Sequence, residues 1–148
     1  MGKSKAKAYK REGNFFMFHH EIFESDAFRS LDCTSRSLLF ELLRNYAPSN
    51  KEEVYLSVRN AASRLRVNKD TAGKAFSKLS DRGFIVMTNH ALWQQRLSRK
   101  WRLTLQPFKG REPTDDWRGY KKPDPKKRDS VSQRKGQTAL EEAAQVDQ

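Results

Sequence analysis

The sequence of 148 residues predicts a small α+β domain, with a three-helix core and a β-hairpin, between two polar segments. Three observations predict this class. Apolar residues recur at helical spacing in three windows, and each window follows a residue that can cap a helix. Two β-prone stretches come directly after the third window. The two ends of the chain are polar, basic and without hydrophobic periodicity, so we expect disordered basic tails there.

The expected domain covers residues 14–107, after a disordered basic arm at 1–13. Its first part, residues 14–31, is strongly apolar, so we expect it to be buried, as an extended stretch followed by one or two short helices. Its aromatic side chains are expected in the core or in a dimer interface: Phe15, Phe16, Phe18, Phe23 and Phe28. Phe40 is a further candidate for a dimer contact because it lies off the leucine stripe of its own helix.

Three helices are expected next. Thr34 is the predicted cap of a helix at about 35–46, whose apolar face consists of Leu38, Leu39, Leu42, Leu43 and Tyr46. After a short β-prone run at 54–56, Ser57 is expected to cap a second helix with the apolar face Val58, Ala61, Ala62 and Leu65. Asn68 is expected to cap a third helix at about 69–82, with the apolar face Ala72, Ala75, Phe76 and Leu79. Gly83 supplies the residue that ends it.

The hairpin is predicted from two strands, residues 84–88 and 101–105. The second strand alternates, with Trp101, Leu103 and Leu105 on one face and Arg102, Thr104 and Gln106 on the other. Residues 90–100 between them form a long basic loop. The tail 108–148 is expected to be mostly disordered. One segment within it, 114–120, is a candidate for docking on the domain, with Thr114 as the cap of a single helical turn.

The positive charge is concentrated in one stretch of the chain. The whole chain carries 30 Lys and Arg against 18 Asp and Glu, a net charge of +12. Residues 58–106 contain eleven basic and two acidic residues, whereas residues 14–57 contain four basic and seven acidic ones. This segregation favours a polyanionic partner, either a nucleic acid or an anionic membrane surface. Apolar runs are too short for a membrane span and there is no secretory signal, so we expect a cytoplasmic protein without a membrane partner.

The stretch from Ser57 to Ile85 resembles the central motif of winged helix-turn-helix proteins. It has the paired alanines Ala61 and Ala62, a turn, and a second helix that ends in Leu79-Ser-Asp-Arg-Gly83-Phe84. The strands at 84–88 and 101–105 fit the wing. The chain is similar to small helix-turn-helix proteins of bacterial plasmids and phages, and to the winged helix modules of plasmid replication initiators.

This resemblance covers about residues 15–118, and its specific part is 57–104. Two positions depart from the family pattern. Arg66 stands in the turn where a small residue, often glycine, is usual, which would strain a left-handed backbone. Gly73 lies inside the recognition helix, either as room for a DNA backbone or as a tolerated weak position.

The resemblance implies that helix 69–82 enters a major groove of double-stranded DNA. Lys69, Thr71 and Lys74 are then expected at bases or nearby phosphates, and Lys78 and Arg82 at phosphates or in solvent. The full set of candidate DNA contacts is Ser57, Arg59, Asn68, Lys69, Thr71, Gly73, Lys74, Lys78, Arg96, Arg99 and Lys100. Trp93, in the expected wing loop, is a candidate for a further partner contact.

Enzymatic chemistry is not expected. His19, His20, His90 and Cys33 lack metal-ligand spacing, and there is no glycine-rich phosphate loop or nucleophile elbow, so we expect no catalytic, metal or cofactor site. The leading hypothesis is a sequence-specific regulator of transcription of a bacterial or mobile-element gene, with a possible homodimer as the binding form. A plasmid or phage replication accessory protein is one alternative. A winged helix module for protein interaction or RNA binding is another, and no effector ligand is identified.

Overall fold

The computed structural model describes residues 13–47, 52–89 and 99–123. Over these residues the chain has mixed α+β structure, with five α-helices and one three-stranded antiparallel sheet, so the predicted class is confirmed. The elements are α1 (His20–Glu24), α2 (Asp26–Arg29), α3 (Cys33–Asn45), β1 (Glu53–Tyr55), α4 (Val58–Leu65), α5 (Lys69–Asp81), β2 (Ile85–Met87) and β3 (Lys100–Leu103), followed by a 3₁₀ turn, η1 (Asp116–Gly119).

Two of the three predicted helix caps are confirmed. The Ser57 hydroxyl accepts a hydrogen bond from the Asn60 N–H (3.1 Å), and the Asn68 side chain accepts one from the Thr71 N–H (2.7 Å). The prediction for α3 is wrong, because Asp32 rather than Thr34 precedes the helix and accepts from the Ser35 N–H at 2.8 Å. Aspartate is at least as good a cap as threonine, and Asp32 also forms an ion pair with α5, which favours this start.

The predicted apolar faces of α3, α4 and α5 form the core. Their buried side chains are Leu38, Leu39, Leu42, Leu43, Ala61, Ala62, Ala72, Ala75, Phe76 and Leu79. Phe76 of α5 stacks on Trp101 of β3, with 5.0 Å between ring centroids and 16° between ring planes. The sheet therefore packs against α5 through this aromatic pair. Truncation of such a buried aromatic side chain to alanine costs about 3–5 kcal/mol.

The sheet has the strand order β1-β3-β2, with both pairs antiparallel. The strand predicted at 101–105 instead begins at Lys100, which was assigned to the loop, and ends at Leu103. Thr104, expected on the solvent face, is fully buried. Its hydroxyl donates towards the carbonyls of Gly83 (2.6 Å) and Phe84 (3.1 Å), so a hydrogen bond to the end of α5 overrides the alternation.

The N-terminal apolar segment is only partly buried. Phe28 lies in the core, but Phe15 is 78% exposed and Met17 is 71% exposed, so the expectation that the whole segment is buried is wrong. The described residues 14–19 precede α1 and adopt no helix or turn. Phe16 and Phe18 pack on Phe40, at 6.1 and 5.5 Å between ring centroids, whereas Phe15 and Met17 stay largely exposed.

The packed region extends past Pro107 to Tyr120. Trp117 of η1 is buried and stacks on Phe84, with 6.4 Å between centroids and 9° between ring planes. Asp115, in the left-handed conformation, precedes η1, so Thr114 is not the cap that was expected. Thr114 instead accepts a hydrogen bond from Arg102 at 3.1 Å. Among the described helices, none is both long and apolar enough to cross a bilayer.

Candidate nucleic-acid interface

A three-residue connection joins α4 to α5 and fixes the angle between them. Arg66 has φ 55° and ψ 44°, the left-handed conformation that the sequence analysis expected to be strained here. The Val67 N–H donates to the Ala62 carbonyl (3.0 Å), and Asn68 then starts α5. A residue with a Cβ pays about 1 kcal/mol or more for this conformation. Arg66 therefore makes the turn less stable than glycine would, because glycine has no Cβ and adopts this conformation with little strain.

Helix α5 has one buried and one exposed side. Lys69, Asp70, Lys74 and Ser77 are exposed, while Thr71, Gly73 and Lys78 are half-buried. A Cβ added at Gly73 would meet no atom within 4 Å, so the surface at this position is open. The first half of α5 is therefore a convex surface that a groove in a partner can contact.

Four cations on α4, the turn and α5 have no ion-pair partner among the described residues: Arg59, Arg66, Lys69 and Lys74. The other arginine of α4, Arg64, is held by Glu41 of α3 (3.3 Å), and Glu41 also binds Arg44 (3.2 Å). The unpaired four are all exposed. Their charges are therefore available to an external anion.

Lys78, in the second half of α5, is held by a protein group. Its ammonium group forms an ion pair with Asp32 at the start of α3. Hydrogen bonds from Lys78 and from Ser35 lower the pKa of Asp32 to about 2. Lys78 was predicted to meet phosphates or solvent, and it reaches a phosphate only if it gives up Asp32.

Arg82, the residue that ends α5, is also held internally. Its Nε donates to the Ser30 hydroxyl (3.1 Å), and its guanidinium lies 5.2 Å from the ring centroid of Tyr120. Arg82 was expected at phosphates or in solvent, and in this structure its guanidinium contacts Ser30 and Tyr120.

Lys100 on β3 is bound by its neighbours on the sheet. Its ammonium lies 3.5 Å from the Glu53 carboxylate and 5.0 Å from the ring centroid of Tyr55. The hydrogen bond to Tyr55, and then Glu53, raise the pKa of Lys100. Arg99 is half-buried, and Trp93 and Arg96 lie outside the described residues. Of the candidates in the expected wing, the structure therefore describes Arg99 and Lys100 but not Arg96.

Two further candidates lie at the start of α4. The Ser57 hydroxyl is half-buried and occupied as the cap, whereas Arg59 is exposed. The first turn of α4 contains no acidic residue, so its free N–H groups and the Arg59 charge have the same sign. Arg66 was not a candidate in the sequence analysis, although an arginine at a glycine-type position was the signal that could have identified it.

Among residues 13–47, 52–89 and 99–123, no three His, Cys, Asp or Glu side chains are grouped so that they could hold a metal ion. The arrangement of α4 and α5 offers cations and helix-terminal N–H groups on a convex surface. This chemistry fits reversible binding of phosphate oxygens and of hydrogen-bond acceptors on base edges. Comparisons of the chain with protein-family models, curated proteins and solved structures give no match.

Proposed function

We propose that this chain is a winged helix-turn-helix protein that binds double-stranded DNA sequence-specifically, with α5 in the major groove. One observation carries the proposal. Helix α5 buries Ala72, Ala75 and Phe76 on one side and presents Lys69 and Lys74, without ion-pair partners among the described residues, on the other. The helix is thus anchored by one face and cationic on the other, as a helix that docks in a groove must be.

The chain topology supports the same proposal. Strand β1 lies between α3 and α4 in sequence and pairs with β3, while β2 and β3 follow α5 and pair with each other. The order helix, strand, helix, helix, strand, strand is that of a winged helix. In this arrangement β2 and β3 are the two strands of the wing.

Affinity and specificity come from different residues in this proposal. Arg59, in the first turn of α4, and Arg66, in the turn between α4 and α5, bind phosphates, which sets the position of the domain on the duplex. Lys69 and Lys74, in the first half of α5, reach base edges, where a lysine ammonium donates to guanine O6 and N7. The half-buried Thr71 offers a methyl or hydroxyl group to the same groove.

The biological role that we propose is regulation of transcription by occupancy of an operator. A replication accessory protein would use the same binding chemistry, so the number and arrangement of binding sites distinguish the two roles. A regulator is expected to select one inverted or direct repeat, and an accessory protein an iterated array.

The experiment is selection from a random duplex DNA library at near-physiological salt. Three proteins are compared: the wild type, Lys69→Ala/Lys74→Ala, and Lys121→Ala/Lys122→Ala. The last pair of lysines is exposed, so it controls for the loss of two positive charges. We expect the wild type and the control to enrich the same motif, and the α5 variant to lose it. Absence of a motif from the wild type, or its retention by the α5 variant, would contradict the proposal.

A further inference from the structure

The apolar segment before α1 leaves a bare surface on the domain. Four large apolar side chains are exposed there: Phe15 (78%), Phe16 (40%), Met17 (71%) and Phe23 (44%). We call these four residues the aromatic patch. It is continuous with the interior, because Phe18 contacts Phe23, Phe28 and Phe40 at 4.6, 5.6 and 5.5 Å between ring centroids. The patch is therefore held on the body of the domain.

We propose that the aromatic patch binds the same patch of a second copy of this chain and forms a two-fold symmetric dimer. A segment with apolar side chains on both of its sides is typically buried by neighbouring structure on both sides. The domain covers only one side of this run, through Phe16 and Phe18. A self-complementary contact covers the other side in both copies at once.

The exposed apolar area supplies most, but not all, of what a stable dimer contact buries. At about 200 Å² for each large side chain, the exposed fractions amount to about 450 Å² of apolar surface in one copy. A pair of copies would then bury about 900 Å², which is most of the about 1,200 Å² at the lower limit of stable interfaces. Neighbouring exposed residues of α1, including His20 and Glu24, supply additional area.

Charge favours a second copy over a polyanion. Residues 14–18 carry no charge, and the exposed Glu24 and Asp26 beside them repel the phosphates of DNA or of anionic lipids. The uncharged patch of a second copy brings no phosphates that these carboxylates would repel.

The inference is independent of DNA binding, and its test is done without DNA. The mass of the full chain is measured by sedimentation velocity across the micromolar range. We expect twice the chain mass of 17.3 kDa for the wild type, and a single chain mass for Phe15→Ser/Met17→Ser. Tyr55→Ser is the matched control, since it removes an aromatic side chain that is 54% exposed on β1, and it is expected to remain dimeric.

A second variant, Met17→Asp, places one negative charge at the patch of each copy and is also expected to be monomeric. Circular dichroism spectra of the variants are expected to match the wild type, because the altered side chains lie outside the core of a single copy. A wild type of single mass, or patch variants that stay dimeric, would overturn the proposal. Flotation with phosphatidylserine vesicles that depends on Phe15 and Met17, with no dimer in solution, would overturn it in favour of a lipid surface.

Discussion

Both ends of α5 carry basic residues, but those of the first half are exposed and those of the second half are bound within the fold. In the first half Lys69 and Lys74 are exposed and lack an ion-pair partner among the described residues. In the second half Lys78 is bound by Asp32, and Arg82, the residue after the helix, is bound by Ser30 and Tyr120. The difference comes from the neighbours, because Asp32 and Ser30, just before α3, and Tyr120 lie within reach of these two cations. Basic residues in one helix thus divide into those that hold the fold and those available to a partner.

The glycines show the same division. A Cβ at Gly73, in the first half of α5, would be in open space, whereas a Cβ at Gly83, just after α5, would lie 2.7–2.8 Å from backbone atoms of Asp116 and Trp117. One position is therefore free for an external surface, and the other is filled by η1. In both comparisons the start of α5 is open, and contacts within the fold are made at its end.

The largest expected effect is a difference in DNA affinity between variants of Lys69 and Lys78. Lys69→Ala is expected to weaken binding to the selected duplex by about 1–3 kcal/mol, because a lysine at a base edge or phosphate is lost. Lys78→Ala is expected to change affinity little, since Lys78 is occupied by Asp32. Fluorescence anisotropy at fixed salt measures both. Equal losses for the two variants would show that the division within α5 is wrong.

Stability measurements on the two glycines test the same division without DNA. Gly83→Ala is expected to lower the free energy of unfolding by about 2 kcal/mol, because φ is +79° and the added methyl group displaces η1. Gly73→Ala is expected to raise it by up to about 1 kcal/mol, as alanine is the better helix residue. Urea unfolding gives both values, and a destabilised Gly73→Ala protein would contradict the open surface at this position.

The Asp32–Lys78 pair predicts a pH dependence of stability. The pKa of Asp32 is lowered from its ordinary 3.8 to about 2, so the stabilising contribution is complete above about 3.8 and is lost as the pH falls towards 2. Asp32→Asn keeps a capping group and is expected to flatten this part of the profile at a cost of up to about 1 kcal/mol at neutral pH. Thermal unfolding between pH 2 and pH 7 is the measurement.

Asp32→Ala removes the cap as well as the charge, and it is expected to cost about 1 kcal/mol more than Asp32→Asn. If both variants keep the full acid dependence of the wild type, the pair with Lys78 does not stabilise the second half of α5.

The smallest expected effect is that of Arg66→Gly, which is expected to raise stability and to lower DNA affinity. Arg66→Gly is expected to raise the free energy of unfolding by up to about 1 kcal/mol, because glycine adopts the left-handed conformation without strain. DNA affinity is expected to fall a few-fold as one phosphate contact is lost. If affinity does not change, Arg66 is a tolerated turn residue and the cationic surface begins at Lys69.

The patterns that depend on neighbours in sequence were predictable. Ser57 and Asn68 cap their helices because a cap bonds an N–H only three residues away. The buried faces of α3, α4 and α5 follow from helical spacing, which requires no knowledge of what covers them. A left-handed backbone at Arg66 was expected from the resemblance, in which a small residue, often glycine, is usual at this position of the turn. The α5 lysines were found as candidates because all these predictions together define the exposed side of the helix.

Predictions failed where a distant residue decided the outcome. Asp32 rather than Thr34 starts α3, and its carboxylate pairs with a lysine 46 positions later. Thr104 is buried and donates to the carbonyls of Gly83 and Phe84, 20 positions or more earlier in the chain. The inner side of the first apolar segment is covered, and its outer side is not. Hydrophobicity predicts that such residues avoid water, but not whether their own chain has enough surface to cover them.

The sequence by itself determined the α+β class, the order of the elements, the faces that are buried and the stretch in which positive charge accumulates. These depend on backbone hydrogen bonding, side-chain periodicity and composition, which are local properties. The tertiary structure decided which cations are neutralised by carboxylates, how far the packed region extends past Pro107, and which apolar side chains stay exposed. Those outcomes depend on distances between residues far apart in the chain, and only the folded packing sets these distances.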